Sequence, residues 1–291
     1  MPSLAVETRH VLRAHGLHPR KTLGQNFIID SEALQSVVRA AQLTSNDRVV
    51  EIGAGLGTLT LALAERCAQV VAVELDRALA EVLSSRTAAV PGVTVVHGNA
   101  LDLDLALWLP ADQPYKLVAN IPYFITGQII RHFLTGPRRP GLLVLMVQKE
   151  VAQRLVAQPG DLSLLGVTTQ YYAKTEIVRT VPARSFWPAP AVDSAIVRLR
   201  PHATMPVQVD DERRFFSVVR AGFGEKRKQL HNALVHGLAH IPAPGIDAAL
   251  AAAGIDRTRR AETLSLQEWG LLYREIELRW PGARKARETG A

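Results

Sequence analysis

The sequence predicts an α/β domain built on a mostly parallel sheet, followed by a small all-helical domain. Three observations predict it. Near-continuous apolar, β-rich runs alternate with helical patterns through the first two-thirds of the chain, as in parallel sheets covered on both faces. Two further strand-like runs are joined by a link too short for a helical crossover, which reads as an antiparallel pair at one edge. Beyond "LRPHATMP" the patterning becomes helical, with few β-branched residues.

Taken in order, a helical extension precedes the first strand. Strands are predicted over 48–53 (RVVEIG), 69–75 (QVVAVEL), 93–98 (VTVVHG), 115–120 (YKLVAN) and 141–147 (GLLVLMV). Helical patterns fall over 58–66, 77–87, 126–135 and 149–157. The edge pair is "TEIVRTV" and "SAIVRLR", separated by "PARSFWPAPAVD". Pro201 and Pro206 bracket a linker, and helices are expected over 211–223, 226–238, 245–253 and 267–278. The expected domains are therefore 1–200 and 207–291, with a frayed tail "PGARKARETGA".

Composition narrows the function classes. The chain of 291 residues is 47% hydrophobic and 21% charged, enough for a large core. No apolar run approaches a membrane span, and "MPSLAVETRHVLRAHG" lacks the apolar segment and cleavage site of a secretory signal. Cys67 is the only cysteine, so no internal disulfide forms and a cytoplasmic location is expected. Scattered histidines and one cysteine offer no metal set. The net charge of +7 fits a polyanionic partner or simply a solvated basic surface. Basic residues cluster at Arg9, Arg13, Arg20 and Lys21, and again at Lys226, Arg227 and Lys228, where a helix start and phosphate contacts are expected.

"VVEIGAGLGTLT" closes a strand and opens a helix, with Gly53, Gly55 and Gly57 spaced G-x-G-x-G. Such a turn lets a ligand approach backbone, although ordinary turn chemistry produces it too. Glu74, ending the next strand, is placed to accept hydrogen bonds from both ribose hydroxyls of an adenosine. Thr58 stands where a dinucleotide fingerprint has its third glycine, and Glu51 adds negative charge beside the turn. Both residues favour S-adenosylmethionine, a cation without phosphates, over a dinucleotide. After the third strand, Asn99 is a candidate acceptor for the adenine amine, or a residue that closes a turn.

"ANIPYFIT" places Asn120, Ile121, Pro122 and Tyr123 at the carboxyl end of a strand that the proline stops. An amine conjugated to a ring is a poor nucleophile. The Asn120 side-chain oxygen and the Ile121 carbonyl, stiffened by Pro122, are expected to accept its two N–H bonds. Tyr123 would lie flat on the base, and Phe186 from "RSFWPAP" would face it across the base, or would fill core. Positioning and electrostatics then suffice without a nucleophilic side chain.

These motifs resemble, over nearly the whole chain, the small-subunit (16S) rRNA adenine N6,N6-dimethyltransferases of the kasugamycin-resistance type. The resemblance rests on "KTLGQNFIID", "VVEIGAGLGTLT", "VVAVELD", "NIPYFIT", "MVQKEVAQRLVAQPG", "FWPAPAVDSAIVRL", "FGEKRKQLHNAL" and "RRAETLSLQEWGLL". It implies a Rossmann-like class I S-adenosylmethionine-dependent methyltransferase domain. It also implies double methylation of two adjacent adenosines near the 3′ end of 16S rRNA, in the small ribosomal subunit or its precursor, by a monomer. It adds Asn26 and the backbone of Ile28 to the cofactor residues Gly53, Glu74, Asn99 and Asn120. Two features depart from the family pattern: Asn99 where aspartate is common, and "GDLSLLGVTT" in place of a Tyr-Gly-Arg-Leu-Ser element. The alternatives are a 23S rRNA adenine N6-methyltransferase of the macrolide-resistance type and a non-catalytic RNA-binding assembly factor.

Overall fold

A computed structural model describes residues 3–110, 113–122, 125–225 and 227–281. It divides into two compact units, residues 1–153 with 173–201, and residues 154–172 with 202–291. The segment 154–172, assigned from sequence to the first domain, therefore packs with the C-terminal helices.

The first unit is built on nine strands among the described residues: β1 (Phe27–Ile28), β2 (Arg48–Ile52), β3 (Gln69–Glu74), β4 (Val93–His97), β5 (Lys116–Asn120), β6 (Leu142–Gln148), β7 (Ala173–Val181), β8 (Phe186–Trp187) and β9 (Ser194–Pro201). Seven of them form one sheet in the order β4-β3-β2-β5-β6-β9-β7. Strands β2 to β6 run parallel, and β9 enters antiparallel between β6 and β7. The edge pair expected from the short link is thus β7 and β9. The central strands are apolar on both faces because helices cover both; Val49, Val50, Val71, Leu117, Val118, Leu143 and Val144 are fully buried.

Helices of this unit are α1 (Leu4–Ala14), α2 (Ser31–Ala40), α3 (Thr58–Ala64), α4 (Arg77–Thr87), α5 (Thr126–Thr135) and α6 (Lys149–Val156), the last running into the second unit. Local chemistry starts several of them. The Asp30 carboxylate accepts from the amides of Glu32 and Ala33 at 2.9 and 3.2 Å, and Asp76 accepts from Ala78 at 3.1 Å. The two-residue strands β1 and β8 pair antiparallel, Phe27 with Trp187 and Ile28 with Phe186. This small sheet had no counterpart in the sequence reading, because two residues carry no period.

The second unit holds α7 (Leu164–Tyr172), α8 (Glu212–Phe223), α9 (Leu230–Gly237), α10 (Ala243–Ala252) and α11 (Leu266–Arg279). Its core is aromatic. Tyr171 packs on Phe215 and Phe216 with ring centroids 5.2 Å apart in each case, and Phe215 meets Tyr273 edge-on at 5.8 Å. The Tyr172 hydroxyl donates to Glu212 at 2.7 Å and that of Tyr273 to Asp210 at 2.5 Å, so both buried rings satisfy their polar ends. A reciprocal cap between Ser265 and Glu268 starts α11.

Candidate functional site

Parallel register brings four strand ends to one edge. Ile52 stands opposite Val73 and Ala119, and Glu74 opposite His97. The residues that follow β2, β3, β4 and β5 therefore converge. Strand order reverses about β2, with β3 on one side and β5 on the other, which opens a crevice there. A cavity of about 330 Å³ fills it, and Asn26, Ile28, Gly53, Gly55, Glu74, Asn99, Asn120, Ile121 and Pro122 all line it.

The glycine turn has the shape that its sequence demands. Gly53, Gly55 and Gly57 have φ of +73°, +58° and +83°, in the left-handed region that other residues avoid. A Cβ on Gly53 would stand 3.1 Å from the Asn120 carbonyl oxygen, and one on Gly57 would stand 2.7 Å from the Leu83 side chain. Gly57 does not itself line the cavity; it turns the chain into α3.

Glu74 is nearly buried, at 7% exposure. Its Oε2 accepts from the Gly55 amide at 2.7 Å and its Oε1 from the Asp76 amide at 2.8 Å. Burial raises its pKa, against the pull of those two amides. A carboxylate has about four lone-pair sites, so two hydroxyls can still be accepted from the cavity side. Glu51, on β2, does not line the cavity. It is 1% exposed, burial pushes its carboxyl up to about 8, so it does not carry the negative charge expected of it in the free protein, and its Oε2 meets no hydrogen-bond partner among the described residues.

Asn120 ends β5, and its Nδ2 donates to the Asn26 carbonyl at 3.1 Å. That bond fixes the carboxamide and leaves Oδ1 as its acceptor. Asn26 in turn donates to the Gly24 carbonyl at 3.1 Å. Gln25 accepts from the Arg20 amide at 2.8 Å and donates to Asp76 at 3.0 Å, so the segment before β1 is tied to the start of α4. Asn99 combines both of its readings. It lines the cavity, while its Oδ1 accepts from Leu101 at 3.2 Å and its Nδ2 donates to Asp102 at 2.8 Å, closing a turn.

Phe186 is placed differently from the sequence expectation. It is 2% exposed, pairs with Ile28 across β1 and β8, sits in the apolar layer with Ile28 and Leu34, and does not line the cavity. The β1–β8 pairing turns its ring into the core, as the core-filler alternative has it. Tyr123 and Lys226 lie outside the described residues. Arg227 and Lys228 are exposed, but α9 begins only at Leu230, so they occupy the turn before the helix rather than its first turn. Among the lining residues that sequence reading missed are Gly24, Gln25, Phe27, Leu101 and Gln128. Gly24, Gln25 and Phe27 carried a signal, through their place in "GQNF".

The residues fit a cationic adenosine cofactor: an anchored carboxylate, an orphaned carboxyl oxygen beneath the turn, and a glycine cradle that a Cβ would crowd. Known proteins agree. A family model described as "Ribosomal RNA adenine dimethylase" matches residues 16–277. Ribosomal RNA small subunit methyltransferase A of Dehalococcoides mccartyi is 43% identical over 271 residues, 93% of each chain. Its counterpart from Moorella thermoacetica is 43% identical, covering 93% of this chain and 96% of its own. Among solved structures, a dimethyladenosine transferase from Plasmodium falciparum aligns with a TM-score of 0.72 at 25% identity, over 88% of this chain and 97% of that one. The 23S rRNA methyltransferase ErmE aligns with a TM-score of 0.69 at 30% identity, over 87% of this chain and all of its own. The chain belongs to the ribosomal RNA adenine dimethylase family.

Proposed function

We propose that the cavity holds S-adenosylmethionine and that Asn120 presents adenine N6 to it. The protein is an S-adenosylmethionine-dependent rRNA adenine dimethyltransferase, acting at N6 of two adjacent adenosines near the 3′ end of 16S rRNA. The observation that carries the site assignment is the convergence of Asn26, Gly53, Glu74, Asn99 and Asn120 on one cavity at the strand-order reversal. Bound there, the cofactor supplies a methyl group made electrophilic by its sulfonium.

The residues do the rest by holding. Glu74 accepts from the ribose hydroxyls, Asn99 takes the adenine amine of the cofactor, and the glycine turn admits the chain of the ligand against backbone. Asn120 Oδ1 and the Ile121 carbonyl accept the two N–H bonds of the target amine. They aim its nitrogen and favour the positive charge that develops there. Tyr123 stacks on the target base. Arg227 and Lys228, with Lys226, contact rRNA phosphates. Action as a cytoplasmic monomer on small subunits or their precursors completes the proposal. Among the described residues, no helix is long and apolar enough to cross a membrane.

The test is incubation with labelled S-adenosylmethionine and, in parallel, unmethylated small subunits and free 23S rRNA, followed by mass spectrometry of the rRNA. Two neighbouring dimethyladenosines near the 3′ end are expected. Label on 23S rRNA alone would transfer the function to the macrolide-resistance type, and no label on any RNA would leave an assembly factor.

A further inference from the structure

Beyond the residues that line the cavity lies a carboxyl group that the chemistry above does not use. Glu51 follows Val49 and Val50 on β2, with Ala72 of β3 and Val118 of β5 opposite it in register. All four neighbours are fully buried. A polar group in such a layer is normally hydrogen-bonded. Here Glu51 Oε2 meets no partner of bonding geometry among the described residues, and neither does the buried Thr60 hydroxyl of α3, although that hydroxyl lies close enough to favour the ionised carboxylate. The ionisable group that faces it is Glu74, at the end of β3, whose charge disfavours a second anion nearby. Burial first, and Glu74 after it, hold Glu51 in its protonated form against the pull of the Thr60 hydroxyl, with its pKa raised to about 8. Yet Ile52 and Gly53, the next residues, line the cofactor cavity.

We propose that Glu51 is a charge-compensating positioning residue: it gives up its proton to solvent when the cationic methyl donor binds and takes one back when the neutral thioether product occupies the site. The inference rests on the reading of this cavity as the cofactor site. It makes the cavity tell donor from spent product by charge, with no contact to the methyl group. An opposite charge close by favours the ionised carboxylate by about 1–3 pKa units. Coupling is reciprocal, so the ionised carboxylate strengthens cation binding by about tenfold or more.

Calorimetric titration with S-adenosylmethionine and with S-adenosylhomocysteine, each in two buffers of different ionisation enthalpy at neutral pH, counts the protons released. The wild-type protein should release nearly one proton more with the donor than with the product. Glu51→Gln, which mimics the protonated side chain, should abolish that excess and keep product affinity. It should also lower the preference for donor over product by about tenfold or more. The donor's own amino group titrates alike in both proteins, so the difference belongs to Glu51. A second variant, Thr60→Val, removes the nearby hydroxyl and should move the pH midpoint of proton release upward. Equal proton release for both ligands in the wild type, or an unchanged excess in Glu51→Gln, overturns the proposal. Failure of both ligands to bind the wild type overturns the cofactor reading itself.

Discussion

A carboxamide has no useful basicity, so in its proposed role Asn120 accepts hydrogen bonds rather than removing a proton. Asn120→Ala is expected to lower the methylation rate by about 10²–10³-fold, the usual cost of losing one aligned polar contact in a reacting site. Donor affinity should stay nearly constant, which separates orientation from binding. Glu74→Ala should act the opposite way, weakening donor binding by about 1.5–3 kcal/mol in calorimetry, because charged hydrogen bonds are lost. Glu51 makes a pH prediction for the protein without cofactor. Its folded pKa of about 8 lies above the ordinary 4.5. A raised acid stabilises fully below the ordinary value, and that stability is lost as pH rises through about 8. Melting temperatures of Glu51→Gln should therefore decline less between about pH 5 and about pH 9 than those of the wild type.

Between residues and the whole chain, each element obeyed the strength of its own signal. Strands β2, β3, β5 and β6 were legible to within a residue or so, because buried parallel strands are continuous apolar runs. Strands β1 and β8 were not, being two residues each. Helix α7 was hidden by Gly166, Thr168 and Thr169, poor helix formers. Tertiary packing of Tyr171 and Tyr172 and the Ser163 hydroxyl, which accepts from the Gly166 amide at 3.1 Å, hold it instead. Two stability predictions follow from element chemistry. Gly57→Ala should cost about 1–2 kcal/mol through its left-handed backbone, and more through the clash with Leu83. Phe215→Ala, in the aromatic core of the second unit, should cost about 3–5 kcal/mol in denaturant unfolding.

Across the molecule, the site was half legible. Gly53, Glu74 and Asn120 each end or follow a strand, so the parallel sheet alone predicted their meeting. Asn26 is 94 residues from Asn120 and lies on no periodic element, so only the resemblance pointed to it. Phe186 was misplaced because a ring beside prolines reads the same whether it faces a ligand or the core. Charge belongs to this scale as well. Neutralising Lys226, Arg227 and Lys228 should weaken RNA binding, and the slope of log affinity against log salt should fall by about 0.7–0.9 for each lost phosphate contact. An unchanged slope would make the cluster a solvated surface. The bond from Asn120 to the Asn26 carbonyl reaches further than its length implies. Removing the first thirty residues would take that carbonyl away together with the Asn26 and Ile28 walls of the cavity, strand β1 and the Asp30 cap of α2, so an amino-terminal truncation should lose donor binding and stability along with the aim of the amide at the end of β5.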